Sequence, residues 1–257
     1  MFVYRSRFLT RGEVWFENEP DASPVDWILY RQRSTPVPKS RWSFFYTRLI
    51  DLCKSEEQLL AEMEERTVSK IRQAKEQDKI KITCESLDGP NATAMDEFEA
   101  MWNRFAATKG TGRFPRDWVN RMIERRSLYL AAAIDPEGEL LAYQATYLDK
   151  ERAQELMVVS PFRENPDIAT RRKINRANCL LHWDTMLRMK EKGFRLFDFG
   201  GWYPGQTNIE LLGMNAFKKS FGGQVVREYQ CERIQSLRGW LVLTAARIVQ
   251  RTGSPLF

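Results

Sequence analysis

The side chains best suited to chemistry lie in residues 193–223, GFRLFDFGGWYPGQTNIELLGMNAFKKSFGG. An apolar strand expected over 194–199 places Asp198 near its end and runs into a double glycine, which permits a tight turn or close approach to a ligand. A short amphipathic helix, expected over 211–220, follows a polar loop and includes Lys218. Because the loop is short, this helix must lie beside the strand end, where ligands of open α/β sheets bind. The segment therefore brings a carboxylate and an ammonium group to one ligand-binding edge.

Each polar side chain of this segment has a chemical and a structural interpretation. Asp198 is either a general base or an acceptor that ties down the glycine turn, since strand-end aspartates commonly cap amides. Tyr203 could donate a hydrogen bond to a carbonyl, stack on a donor base, or pack as a loop aromatic. On spacing alone, Lys218 and Lys219 fit two solvated lysines on a short helix.

Histidine and cysteine usage excludes several catalytic classes. His182 is the only histidine, so a Ser-His-Asp, Cys-His or multi-histidine metal site within the chain would have to use it. It lies mid-helix in CLLHWDTML without a nucleophile motif, and we interpret it as a partly buried helix residue in a catalyst that works without imidazole, or nearly so. The cysteines form no CxxC pair and are expected to be reduced thiols, with no metal site: Cys53, Cys84, Cys179 and Cys231.

Two motifs together resemble a known family. FDFGG (197–201), a linker and NAFKKSFGG (215–223) are similar to the Fem-type aminoacyltransferases of peptidoglycan-bridge synthesis and to single-domain acyltransferases with the fold of Gcn5-related N-acetyltransferases (GNAT). The likeness extends upstream to residues 59–82. It implies an α+β fold with a mixed central sheet flanked by helices and an abbreviated β-rich N-terminal subdomain. It also implies that Phe217 and Lys218 form the transfer centre, with Lys218 stabilising the oxyanion of the attacked carbonyl.

The expected donor site departs from the usual GNAT pattern. GNAT enzymes bind the CoA pyrophosphate on a glycine-containing loop at a helix N-terminus, but residues 158–181 contain no glycine. The candidate phosphate-binding cations are Arg171, Arg172, Lys173, Arg176 and Lys219. Long cations bind phosphates without close backbone approach, which suits a nucleic-acid 3′ end better than CoA.

The acceptor side is represented by two groups of residues. Three cations lie toward the end of a helix expected over 56–75, where they could face an acceptor or simply complement the helix dipole: Lys70, Arg72 and Lys75. Tyr143 and Tyr147 share one face of the central strand and could line an acceptor cleft, although we favour the core for both.

The pattern along the chain predicts its organisation. We expect an N-terminal subdomain over 1–90, a GNAT-like domain over 91–231, and a C-terminal helix and tail over 232–257, with the boundary at LDGPNAT. Within the second segment an antiparallel meander is expected, followed by a long helix over 174–192.

Composition bounds the partners and the location. A net charge of +6 and a pI of 9.2 are compatible with a polyanionic partner. The N-terminal charges and the lack of a spanning apolar run lead us to expect a cytoplasmic protein. The C-terminal helix, with Arg238, Arg247 and Arg251, could contact an anionic membrane, although packing against the domain is the favoured alternative.

Three functions remain open at this stage. The first is transfer of an aminoacyl group from aminoacyl-tRNA to an amine of a cell-wall precursor, a sugar or a peptide-like metabolite, with no tightly bound cofactor and a small-molecule or nucleotide-linked acceptor. The second is an N-acyltransferase of polysaccharide or lipid assembly that uses acyl-CoA or an acyl carrier. The third is a non-catalytic module that binds RNA or an anion.

Overall fold

The computed structural model describes residues 1–6, 8–84 and 92–251. The chain forms two compact units, one from Met1–Tyr46, Pro115–Arg121 and Arg227–Phe257, the other from Thr47–Phe114 and Met122–Val226. The division at 1–90, 91–231 and 232–257 stays a prediction, and residues 87–91 of its LDGPNAT boundary lie outside the described residues.

Strands and helices follow the expected order. The strands are β1 (Phe2–Ser6), β2 (Leu9–Trp15), β3 (Trp27–Arg33), β4 (Arg41–Asp51), β5 (Lys81–Cys84), β6 (Leu128–Ile134), β7 (Leu140–Asp149), β8 (Arg152–Val159), β9 (Leu196–Gly201) and β10 (Gln224–Ile234). The α-helices are α1 (Glu56–Glu62), α2 (Glu65–Glu76), α3 (Ala92–Lys109), α4 (Arg116–Glu124), α5 (Ile168–Glu191), α6 (Ile209–Lys219) and α7 (Leu237–Arg251).

The first unit is a small sheet with helix α7. Strands β1 and β2 pair antiparallel, β2 and β3 parallel, and β3 and β10 antiparallel. Alternation along β3 points Ile28 and Tyr30 into a core shared with Val14 and Cys231. The N-terminal segment is therefore β-rich, as predicted.

The second unit is a mixed sheet covered by helices. Its strands lie in the order β4 from Thr47 onward, β9, β8, β7, β6, β5, and every neighbouring pair is antiparallel except β8 with β9, which is parallel. The long helix α5 connects these two parallel strands, as a crossover must. The apolar sides of α2 and α5 cover the sheet around Ile71, Leu181 and Phe197. This arrangement confirms the predicted α+β class.

Two helix boundaries differ from expectation. The helix predicted over 56–75 is broken at Met63, whose extended backbone ends α1, and the freed Glu64 N–H donates to the Ser220 carbonyl at 2.9 Å. The break thus receives the end of α6, which a continuous helix could not do. Helix α5 begins earlier than predicted because Asp167 caps it, accepting a hydrogen bond from the Thr170 N–H at 2.7 Å.

Candidate active site

The site forms where two parallel strands part. Within the described residues, the pairing of β8 with β9 runs from Arg152 opposite Leu196 to Gln154 opposite Asp198, while β8 continues to Val159. Beyond this point β8 pairs with β7 alone and β9 with β4. Parting strands leave an opening in the sheet beside the next residue of β8, Glu155.

Asp198 holds the end of β9 in place. Its fully buried carboxylate accepts hydrogen bonds from the Thr47 hydroxyl, from the Gly200 N–H at 2.7 Å and from the Arg152 guanidinium at 2.5 Å. Gly200 has φ +68°, and a Cβ there would lie 3.1 Å from the Glu155 carbonyl oxygen, so the turn requires glycine. This environment fits the structural interpretation of Asp198, and its use as a general base stays a prediction that the geometry does not favour.

The loop after β9 is held by the first residue of the second motif. The Asn215 side chain accepts from the Tyr203 N–H at 3.0 Å and donates to the Tyr203 carbonyl at 2.7 Å. The Tyr203 hydroxyl lies 3.2 Å from the Thr207 hydroxyl, and its ring covers Gly205. Tyr203 is thus bound to its own loop and is absent from the cavity wall described below. Its predicted substrate contact therefore has no support in the geometry.

Lys218 lies at the centre of the site. Helix α6 carries it inward, so that only 7% of the residue is exposed, and its Nζ donates to the Gly201 carbonyl at 2.7 Å. Burial lowers the pKa of Lys218, and the negative charges of Glu155 and Asp198 oppose that shift. An ammonium has three donors, so two hydrogens remain beyond the bond to Gly201.

A cavity of about 460 Å³ opens beside this ammonium, entirely within the second unit. Its inner wall contains Lys218, Phe217, Glu155 and His182. Toward solvent the wall is largely apolar and includes Phe105, Val158, Phe162, Ile209 and Met214. At the rim Glu210 is paired with both Lys109 and Arg163.

Glu155 and His182 form a hydrogen-bonded pair in this wall. The His182 Nδ1 lies 2.7 Å from the Asn178 carbonyl, which only accepts, so Nδ1 bears a hydrogen. The His182 Nε2 lies 2.8 Å from the Glu155 carboxylate, within hydrogen-bond distance. Phe199 stacks on the imidazole and Phe217 contacts its edge. The aromatic rings therefore shield one side of the pair from water.

Further contacts orient Glu155. Gln144 donates to its carboxylate at 3.0 Å, and the Thr185 hydroxyl donates to the Gln144 carbonyl oxygen at 2.8 Å. A β-bulge also lies here, because Thr146 pairs with Glu155 and Ala145 with Met157, leaving the residue between them out of register. Bulges re-aim side chains, often next to active sites.

The expectation of a catalyst that works without imidazole, or nearly so, stays a prediction that the geometry does not favour. His182 is buried at the cavity wall, and both ring nitrogens have polar partners. Glu155 was not singled out from the sequence at all. One signal was available, since a charged residue within the apolar run AQELMVV must either face solvent or be paired.

Other predicted site residues lie away from the cavity. Tyr143 is buried in the core, where its hydroxyl donates to Glu97 at 2.8 Å, and Tyr147 is also buried. The α2 cations Lys70, Arg72 and Lys75 are half-buried or exposed, and the described residues of the cavity wall include none of them. Their predicted acceptor contacts have no support in this geometry.

Half of the predicted phosphate-binding cluster on α5 is already paired. Lys173 binds Asp135 at 2.7 Å, and Arg176 binds Asp78 through two hydrogen bonds of 2.5 and 2.8 Å. Carboxylates therefore balance the charges of these two cations, and their predicted phosphate contacts stay a prediction that this pairing does not favour. Arg172 is exposed and Arg171 half-buried at the start of the helix. Lys219 is exposed and lines a different depression, beside Arg48 and Gly223.

Comparisons with known proteins agree with this architecture. The sequence pattern of the acetyltransferase (GNAT) domain matches residues 63–219. The structure of FemX superposes with a TM-score of 0.60 at 14% identity, covering 78% of this chain and 63% of that chain. The C-terminal domain (DUF2156) of a lysylphosphatidylglycerol synthetase from Agrobacterium fabrum superposes with a TM-score of 0.54 at 16% identity, covering 86% of this chain and 72% of that chain. L-PGS from Bacillus licheniformis superposes with a TM-score of 0.53 at 13% identity, covering 85% of this chain and 72% of that chain.

At these identities the structural likeness concerns the fold alone. The chain spans less than two thirds of the length of FemX. Comparison with curated protein sequences gives no match. The predicted resemblance to Fem-type and GNAT-like proteins is confirmed.

Proposed function

The chain belongs to the acetyltransferase (GNAT) family and is an acyltransferase, and from this premise we propose that it transfers an aminoacyl group from aminoacyl-tRNA to an amine. The acceptor is a cell-wall precursor, a sugar or a peptide-like metabolite. The observation that supports the proposal best is the meeting of a buried ammonium, Lys218, with the Glu155–His182 pair in one cavity wall.

Lys218 stabilises the negative charge of the transition state. When the amine attacks the carbonyl carbon, the carbonyl oxygen becomes an oxyanion, and the ammonium donates to it while keeping its bond to Gly201. The bond to Gly201 fixes the position of Nζ before the substrate arrives, so little reorganisation is needed. Phe217, the preceding residue, shields this region from water with the neighbouring aromatic rings.

The Glu155–His182 pair handles the proton. The attacking amine forms a C–N bond and loses one proton to Glu155, whose carboxylate lies at the cavity wall. The tetrahedral intermediate then collapses, the C–O bond to the ribose breaks, and the pair returns the proton to the departing ribose oxygen. The products are an amide and a deacylated tRNA, so atoms and charge balance without a cofactor or metal.

The start of α5 disfavours CoA bound in the usual way. Its first turn has no glycine to allow close approach of a pyrophosphate, and the Asp167 carboxylate already accepts from the Thr170 N–H. A carboxylate at that position repels phosphate. Arg171 and Arg172 lie on the same turn and remain candidates for contact with an RNA backbone.

A second function is supported by the apolar outer wall of the cavity. Phe105, Val158, Phe162 and Met214 could surround a hydrocarbon chain, which fits an N-acyltransferase of lipid or polysaccharide assembly supplied by an acyl carrier. In that case a C–S bond breaks in place of the C–O bond, and Lys218 and Glu155 keep the same roles.

A donor competition separates the two. We expect the protein to transfer label from a pool of ¹⁴C-aminoacyl-tRNA to amines of a protein-free cell extract, and to transfer little from ¹⁴C-acetyl-CoA or ¹⁴C-palmitoyl-CoA. Digesting the tRNA with RNase beforehand should abolish transfer, because the donor then lacks the RNA that the α5 arginines are proposed to bind. Transfer that survives digestion, or that occurs only from a thioester, contradicts the tRNA proposal. Absence of turnover with every donor would instead favour a binding module.

A further inference from the structure

Helix α7 packs against its own unit through the side that contains Gly239. Ser236 caps its start, accepting from the Gly239 N–H at 2.9 Å and donating to Asp26 at 2.5 Å. A Cβ at Gly239 would lie 2.4 Å from the Asp26 carbonyl oxygen, so this side of the helix approaches backbone closely. The inward side of α7 is thereby defined.

Large apolar side chains occupy a different side. Leu237 is 74% exposed, Trp240 53% and Leu241 55%. Residues spaced by three and four positions share one helix face, so these three form a continuous apolar strip in solvent. The expectation that this helix packs its apolar residues against the domain is wrong for these three.

The charges of the helix are all of one sign. The fifteen residues Leu237–Arg251 contain three arginines, Arg238, Arg247 and Arg251, and no aspartate or glutamate. Phe8, also half exposed, lies two residues before Thr10, whose N–H donates to the same Asp26 that bonds Ser236. The strand that follows Phe8 is thereby linked to the start of α7 through Asp26.

We propose that this face of α7 binds the surface of an anionic lipid bilayer. Tryptophan and leucine enter the boundary between headgroups and acyl chains, while arginines bind anionic headgroups. A protein partner would ordinarily place a carboxylate beside each individual arginine. A bilayer instead offers both a wide apolar layer and diffuse negative charge. The described helices include none that is long and apolar enough to span a membrane.

Flotation of the full chain with lipid vesicles tests this proposal without any substrate, so its outcome is separate from that of the proposed function. We expect the protein to float with vesicles of equal parts phosphatidylcholine and phosphatidylglycerol, and to remain at the bottom with phosphatidylcholine alone. The double variant Trp240→Ser, Leu241→Ser should bind the anionic vesicles at least about tenfold more weakly, because two buried apolar side chains are lost from the lipid contact.

The matched control is Trp42→Ser, Phe44→Ser, which removes two similarly exposed aromatic residues of the same unit, on β4. This variant should float like the unaltered protein. Failure of the unaltered protein to float, or equal loss in both variants, overturns the proposal. Light scattering provides one more outcome that would overturn the proposal. If the unaltered protein is a dimer and the α7 double variant is a monomer, a second copy of the chain covers the apolar strip.

Discussion

Replacing Lys218 with methionine is expected to lower kcat for acyl transfer by about 10²- to 10³-fold, the usual effect of removing one preorganised oxyanion donor. Methionine keeps most of the buried stem and removes only the ammonium that bonds Gly201. The substrate carbonyl would bind much as before, so KM should change little, because the interaction strengthens mainly as negative charge develops. Steady-state rates of label transfer measure both constants.

Lys219→Met provides the matched control. Lys219 is the next residue of the same helix but is exposed and lines a different depression. Its replacement should leave kcat within about twofold, since exposed substitutions away from a site have small effects. Lys218 has no role in the mechanism if the two variants lose equal activity. The same conclusion follows if Lys218→Met keeps its kcat at a temperature where circular dichroism shows a native fold.

Replacing Glu155 with glutamine is expected to reduce kcat by about 10²- to 10⁴-fold, the range found for loss of a general base. Glutamine retains the size of the side chain but cannot take a proton from the amine. The His182 Nε2 and the Gln144 amide, which both bond this carboxylate, would remain in place. The exposed Glu151→Gln, at the turn before β8, is the control and should keep its rate.

Chemical rescue distinguishes proton transfer from a merely structural role. In Glu155→Ala the space left by the side chain can admit formate, which restores a carboxylate near His182. We expect formate to raise the rate of this variant in a concentration-dependent manner and to leave the unaltered protein unaffected. A variant that is folded, slow and insensitive to formate would indicate that Glu155 acts only by holding His182.

The strand-turn-helix segment could be predicted from residue types because its constraints are local. A double glycine after an apolar strand and a short loop leave α6 little choice of position, and Lys218 reaches the Gly201 carbonyl as a result. The Asn215 side chain, three residues earlier, then holds the Tyr203 backbone. Likewise, the glycine-free start of α5 is a local feature of the sequence, and Asp167 caps this helix.

The rest of the site depends on contacts between residues far apart in the chain. Glu155 and His182 meet only because α5 packs on the sheet beside β8, and no local spacing records that meeting. The same holds for Lys173 and Arg176, whose ion pairs with Asp135 and Asp78 join residues far apart in the chain. Periodicity also missed the break at Met63, because both halves of the predicted helix keep suitable patterns.

The pH dependence of kcat/KM in the Lys218→Arg variant tests the central claim most directly. Burial lowers the pKa of Lys218, so the charged form that stabilises the oxyanion is lost as pH rises at a lower pH than for an ordinary lysine. The unaltered protein should therefore lose activity on the alkaline side below about pH 10.4, the usual pKa of lysine. Arginine stays protonated there, so Lys218→Arg should retain part of the activity and show no such decline. An identical alkaline decline in both proteins would contradict the assignment of Lys218 as the cation that contacts the reacting carbonyl.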